Sequence, residues 1–162
     1  MEALPQAITG ILNKYGAYIS AKLKDDIQQK PITKYGVANA SGRLKDSVRQ
    51  EVSNNVLRIY ALDYIFYVEN GRKAGKRPPT APIEQWITDK GLILEGISKK
   101  SLAYLIARKI GEEGTTAYKQ GGTDLAEGIL TDELKGEIQS QLILTFRQNV
   151  NAMIKNSLNV KK

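Results

Sequence analysis

The chain has 162 residues, 41% of them hydrophobic and 25% charged, which excludes a wholly disordered, collagen-like or low-complexity protein. A folded chain of this size buries roughly 70% of the surface it would otherwise expose, so the simplest expectation is one domain with a real core. The lack of cysteine and histidine excludes disulfides, thiolate metal sites and the usual general base near neutral pH, and the net charge of +7 predicts acidic partners, nucleic acid first.

In chain order, Leu4, Ile8, Ile11, Leu12, Tyr15, Ile19, Leu23 and Ile27 recur at spacings of three and four. That spacing predicts an amphipathic helix over residues 1–30, ended by Lys30-Pro31. Residues 31–42 hold Pro, two Gly, Asn and Ser without periodicity and read as a mobile connector. Residues 44–61 read as a β-hairpin: Val48, Gln50 and Val52 alternate with polar neighbours, Ser53-Asn54-Asn55 is a turn, and Leu57 and Ile59 share a face. Asp63 is placed to cap a short helix carrying Tyr64, Phe66, Tyr67 and Val68, and Gly71 to end it. In residues 72–81, Arg72, Lys73, Lys76 and Arg77 lie among Gly and Pro, so their charge belongs on a displayed loop.

Pro82 opens a helix with Ile83, Trp86 and Ile87 on one face, closed by Gly91. Ser98 caps the next, in which Leu102, Leu105, Ile106 and Ile110 share a face before Gly111. Residues 112–133 carry six acids (Glu112, Glu113, Asp124, Glu127, Asp132, Glu133) against one Lys, with four glycines, and read as an acidic, partly irregular segment. Apolar residues from Leu134 to Leu158 then predict a long helix over 131–158, ahead of the basic pair Lys161-Lys162. The expected fold is α+β, with long N- and C-terminal helices packed on a small antiparallel sheet built around the hairpin, and short helices between. The expected core is Ile11, Tyr15, Ile19, Leu57, Ile59, Tyr64, Val68, Trp86, Ile106 and Ile138. Two strands alone are marginal, so the sheet needs helices, further strands or a neighbouring subunit.

The residues offer little chemistry. Asp25 and Asp26 are adjacent on a helix and point apart, which suits a solvated face better than a metal pair. The glycines of 111–122 are not preceded by a strand and lack the Lys-Ser/Thr pair of a phosphate loop. Tyr60, Tyr64, Phe66 and Tyr67 beside the basic loop fit a single-strand nucleic-acid platform, but aromatics at this spacing more often belong to a core. No residue reads as catalytic or metal-ligating, and no cofactor is implied. No apolar run approaches the length of a membrane span, and residues 1–10 lack a leader pattern, so the expectation is a soluble chain made in the cytosol.

The order Ser41-Gly42-Arg43-Leu44-Lys45-Asp46-Ser47-Val48, then a hairpin, then Tyr64-Ile65-Phe66-Tyr67-Val68-Glu69-Asn70-Gly71-Arg72 resembles the tail-completion and head-tail connector family of tailed bacteriophages. The later Arg77-Pro78-Pro79, Pro82-Ile83, Trp86-Ile87, Lys90-Gly91-Leu92 and Leu102 to Gly114 are similar to the longer members. The resemblance covers residues 41–114, and residues 115–162 carry no recognised motif. It implies a non-enzymatic structural protein of the virion, made in the host bacterial cytoplasm. Such a protein forms a homo-oligomeric ring in the neck between the portal-adaptor complex and the tail, around the channel for genomic DNA, with no membrane partner.

The alternatives are a basic nucleic-acid-binding accessory protein and, behind it, a magnesium-dependent nuclease using the acidic segment. Arg72, Lys73, Lys76 and Arg77, with Glu112, Glu113, Asp124 and Glu127, are the candidate partner-binding residues. For the basic loop a protein partner is favoured over DNA, because a ring multiplies every phosphate contact on DNA that has to slide. Residues 31–42 and 112–128 are expected to order on assembly.

Overall fold

The structure is a computed structural model describing residues 4–33 and 36–159. Its elements are α1 (Leu4–Gln29), β1 (Pro31–Thr33), β2 (Gly36–Val37), α2 (Arg43–Ser47), β3 (Arg49–Ser53), β4 (Val56–Tyr60), α3 (Ile65–Glu69), α4 (Thr80–Asp89), α5 (Lys99–Glu113), α6 (Thr116–Lys119) and α7 (Asp132–Asn159). Two small antiparallel pairs, β1 with β2 and β3 with β4, accompany the long terminal helices in an α+β fold. No helix among the described residues is long and apolar enough to cross a membrane. The chain divides into two compact units. One holds the residues up to Lys22, Arg49–Tyr60 and those from Glu127 onward; the other holds Leu23–Val48 and Ala61–Ala126.

In the first unit, the three-and-four spacing of α1 buries Leu12, Tyr15 and Ile19. Gly16 lies on the same side, and a Cβ there would run into Gln50 and Leu57, so the missing side chain lets the helix meet the hairpin closely. The Tyr15 hydroxyl donates to the Glu137 carboxylate on α7 at 2.8 Å. Burial, then that hydrogen bond and the Glu137 charge, raise the Tyr15 phenol above its ordinary 10.0. The hairpin is closed by two residues, Asn54 and Asn55, at φ of 53° and 58° between partners Ser53 and Val56. Asn tolerates this left-handed geometry, and the resulting turn matches the strand twist. Gln50, Val52, Leu57 and Ile59 share one face; on the other, Glu51 opposes Arg58, and the Arg49 guanidinium lies 4.9 Å from the Tyr60 ring centre.

The second unit is built around Ile27, Leu44, Val48, Ile87, Ala103, Ala107 and Leu125, all buried. α4 packs on α5, a helix whose Ala103 and Ala107 are buried. Gly91, at φ 64°, ends α4: Leu92 N–H reaches Ile87 O and Gly91 N–H reaches Thr88 O, both at 3.0 Å, the paired bonds of a Schellman cap. Ser98 caps α5 as expected, its hydroxyl accepting from Ser101 N–H at 3.2 Å. Pro82 is third rather than first in α4, still within the turn whose N–H groups have no helical partner.

Several expectations need correction. Asp63 makes no side-chain cap; α3 starts at Ile65 with Tyr64 at its N-cap. Tyr64 and Trp86 are each 41% exposed and do not belong to the core. Ile87 takes the inward position of α4, and Trp86, one residue earlier and so about 100° round the helix, falls at its edge. Residues 31–42 are not without regular structure, because β1 and β2 lie there; Lys34 and Tyr35 fall outside the described residues. Residues 112–128 are partly irregular as expected: the short α6 lies among turns, and Ala117, Thr123 and Leu125 are buried there.

The exchange of Trp86 for Ile87 is testable by urea denaturation. Ile87→Ala should destabilise by about 2–5 kcal/mol, and Trp86→Ala by clearly less. An equal loss for Trp86→Ala would place that ring in the core after all.

Candidate functional site

The four basic residues singled out from the sequence sit on one segment, residues 71–79, that lies as a strap across the end of α5. It is held there by main-chain bonds. Thr115 N–H donates to Arg72 O and Gly75 N–H to Gly111 O, at 2.8 and 2.7 Å, while Arg72 N–H donates to Thr115 Oγ1 at 2.8 Å. Thr115 also caps α6, its hydroxyl accepting from Tyr118 N–H at 3.3 Å.

Three glycines make the approach possible. A Cβ on Gly71 would overlap the main-chain nitrogen of Tyr118, and one on Gly114 would stand 2.8 Å from Arg72 O. One on Gly111 would lie 2.7 Å from Arg77 Cγ. Hence Gly111 does not end α5, contrary to expectation; it lies within the helix as a flat place for the strap, and Gly114, at φ 76°, follows the last helical residue.

The cations divide into two supported and two free. The Arg72 guanidinium donates to Lys76 O at 3.1 Å and lies 5.8 Å from the Tyr67 ring centre. The Arg77 guanidinium donates to Tyr104 Oη at 3.2 Å and lies 5.7 Å from that ring's centre. Such contacts hold a guanidinium against an aromatic ring without neutralising it. Lys73 and Lys76 are exposed and make no side-chain hydrogen bond or ion pair among the described residues.

The acidic candidates do not gather into one patch. Glu112 and Glu113 occupy the last turn of α5, where Glu112 lies 3.7 Å from Arg108 and Glu113 pairs with Lys119 at 2.8 Å. The Lys119 hydrogen bond and charge, with Lys109 behind them, hold the Glu113 carboxyl below its ordinary 4.5. Asp124 lies beyond α6 at φ 50°, its main-chain oxygen accepting from Lys30 Nζ at 2.7 Å. Glu127 belongs to the first unit.

Some features were missed in the sequence. Tyr67 and Tyr104 support the arginines, and Lys100, Tyr104, Arg108 and Gly111 share one face of α5. The helical spacing of Lys100, Tyr104 and Arg108 was a usable signal; the contact with Arg77, 27 residues from Tyr104, was not. The residues that carry the family resemblance have structural tasks. Leu44 and Val48 are buried, and Ser47 donates to Leu44 O at 2.7 Å while accepting from Leu62 N–H at 3.1 Å. Glu69 is buried and accepts from Ala126 N–H at 2.9 Å, and its main-chain oxygen accepts from Thr123 N–H at 2.8 Å. The chain matches no protein-family model, no curated protein and no solved structure.

Gly71→Ala should destabilise the protein by at least about 1 kcal/mol from the left-handed φ alone, with the overlap at Tyr118 adding to it. Thermal melting of the variant checks this, and an unchanged midpoint would refute the close approach. The Glu113 pairing makes a separate prediction with a definite sign. Its folded value is lowered, so its stabilisation is present above pH 4.5 and fades as pH falls through the lower folded value. An NMR titration of Glu113 that gave an ordinary midpoint would contradict the pairing.

Proposed function

We propose that this chain is a structural component of a tailed-phage virion that assembles as a ring at the head-to-tail connector. The order of motifs over residues 41–114 supports the reading. The observation that carries it is the lack of internal partners for large apolar surfaces. No described side chain of α7 is buried, and Ile143, Phe146, Met153, Ile154 and Leu158 are all exposed along it. A helix of 28 residues with that much apolar surface is better suited to an interface than to water.

Two further features agree. The β3–β4 pair has no third strand among the described residues, so both edges offer unpaired main-chain groups to a neighbour. The loop after α4 exposes Leu92, Ile93 and Leu94, with Ile93 89% exposed, beside a shallow cavity of about 340 Å³ lined also by Ile87, Ile97 and Leu102. Two different apolar surfaces on one chain suit head-to-tail contacts, and a ring is the closed form of such contacts. In this reading the chain is not an enzyme: its work is to hold copies of itself and the adjoining portal-adaptor and tail proteins around the DNA channel.

The test is the mass and shape of the purified protein. Light scattering behind gel filtration should give a closed oligomer, and negative-stain images should show rings. Phe146→Glu with Ile154→Glu should reduce the particle to a subunit of unchanged helicity. A wild-type protein that remains monomeric at high concentration, and in the presence of the parent particle's neck proteins, would overturn the proposal.

A further inference from the structure

We infer that the strap and the adjoining face of α5 form a binding stripe for the phosphate backbone of duplex DNA, complete within a single subunit. This goes beyond the ring reading and does not depend on it. The stripe has a composition that a casual surface lacks. Residues 71–79 contain four cations and no acid, and α5 adds Lys99, Lys100, Arg108 and Lys109 against Glu112 and Glu113. Much of the chain's net +7 is thus concentrated on one helix and the segment lying on it.

The cations are also in line. Lys100, Tyr104, Arg108 and Gly111 share a helix face, because they follow one another at spacings of four, four and three. Arg77 rests on Tyr104 and against Gly111, and Gly75 is bonded to the Gly111 carbonyl, so Arg77 joins Lys100 and Arg108 on that face and the strap's other cations follow on the segment crossing it. From Lys100 to Gly111 the helix rises about 16 Å, a length along which one DNA strand presents about five phosphates. Exposed cations along one helix face and on the segment crossing it, on a rigid support, fit an extended polyanion better than a compact acidic patch.

Rigidity is the second argument. Two main-chain bonds and the bond from Arg72 N–H to the Thr115 hydroxyl fix the strap before any ligand arrives, and Tyr67 and Tyr104 hold two guanidinium groups beside their rings. The ordering entropy that a loose basic loop loses on binding is therefore already spent in folding. The acids nearest the strap are engaged with Arg108 and Lys119, leaving Lys73 and Lys76 without an acidic partner among the described residues. The concern that a basic ring would grip DNA too firmly is met by the type of contact. Phosphate contacts are independent of base sequence, exchange with counterions, and allow a protein to slide along the duplex.

The experiment is fluorescence anisotropy of the full chain with a labelled 24-base-pair duplex of mixed sequence, measured over a series of salt concentrations. Wild-type binding should weaken steeply with salt. The triple variant Lys73→Gln, Lys76→Gln, Lys100→Gln should bind at least tenfold more weakly at low salt and lower the slope of log K against log salt by up to about 2.7, the value for three lost phosphate contacts. The matching Lys→Arg triple variant should restore both, which separates loss of charge from loss of fold. Binding that is insensitive to salt, or a Gln variant that binds as the wild type does, would overturn the inference. So would polyglutamate of equal charge competing as well as duplex DNA, since the stripe would then be a dock for acidic protein.

Discussion

The second unit depends on one close approach of main chain to main chain. Residues 71–75 lie directly against the corner where α5 gives way to α6, and Gly71, Gly111 and Gly114 are the three places where a Cβ would separate them. On one side of the contact, Glu69 secures the main chain at Thr123 and Ala126. On the other, the strap is bonded to Gly111 and Thr115. A buried carboxylate is costly unless it is hydrogen-bonded, and Glu69 Oε2 accepts an N–H from the segment it holds. The same few residues therefore turn α3 into the strap, place the strap on α5, and tie down the chain beyond α6.

This arrangement explains why the residues that carry the family resemblance say more about fold than about chemistry. Leu44 and Val48 fill the core, Ser47 bridges α2 to Leu62, Glu69 clamps a distant loop, and Gly71 supplies a turn that no side chain could enter. None of them is a reactive group aimed at a cavity. A fold can serve unrelated functions, so the functional argument has to rest on what the surface presents. Here the surface presents unpaired strand edges, an exposed apolar side of α7, an apolar loop after α4 and a row of cations on α5.

The cations and the apolar surfaces act on different terms. Each exposed charge contributes little by itself and is weakened by salt, so the basic stripe gains its effect from number, alignment and rigid support. Apolar contact is not screened by salt and grows with the area removed from water, which is what permanent association between subunits requires. The ring component proposed above would have use for both: firm contacts between proteins, and weak, exchangeable ones toward the duplex.

Much of the secondary structure was legible because its causes are local. The spacing of Leu12, Tyr15 and Ile19 gave the first helix, the apolar repeat from Leu134 to Leu158 gave the last, Asn54-Asn55 gave the hairpin turn, and Gly91 and Ser98 gave the ends of α4 and α5. The four cations of the strap were legible as a displayed group because Gly and Pro exclude a helix there. The rest was decided by contacts between residues far apart in the chain. Gly111 reads locally as a helix end, but its place inside α5 depends on Gly75, 36 residues earlier, lying on it. Trp86 reads as an anchor by size, but the packing of α4 on α5 selected Ile87. The sequence by itself thus determined the longer helices, the turn and the sign of the charge, while α2 and α6 were not legible in it. Only the tertiary structure decided which glycine is a contact, which apolar residue is core and which cations stand in line, because each is settled by a neighbour that local spacing does not specify.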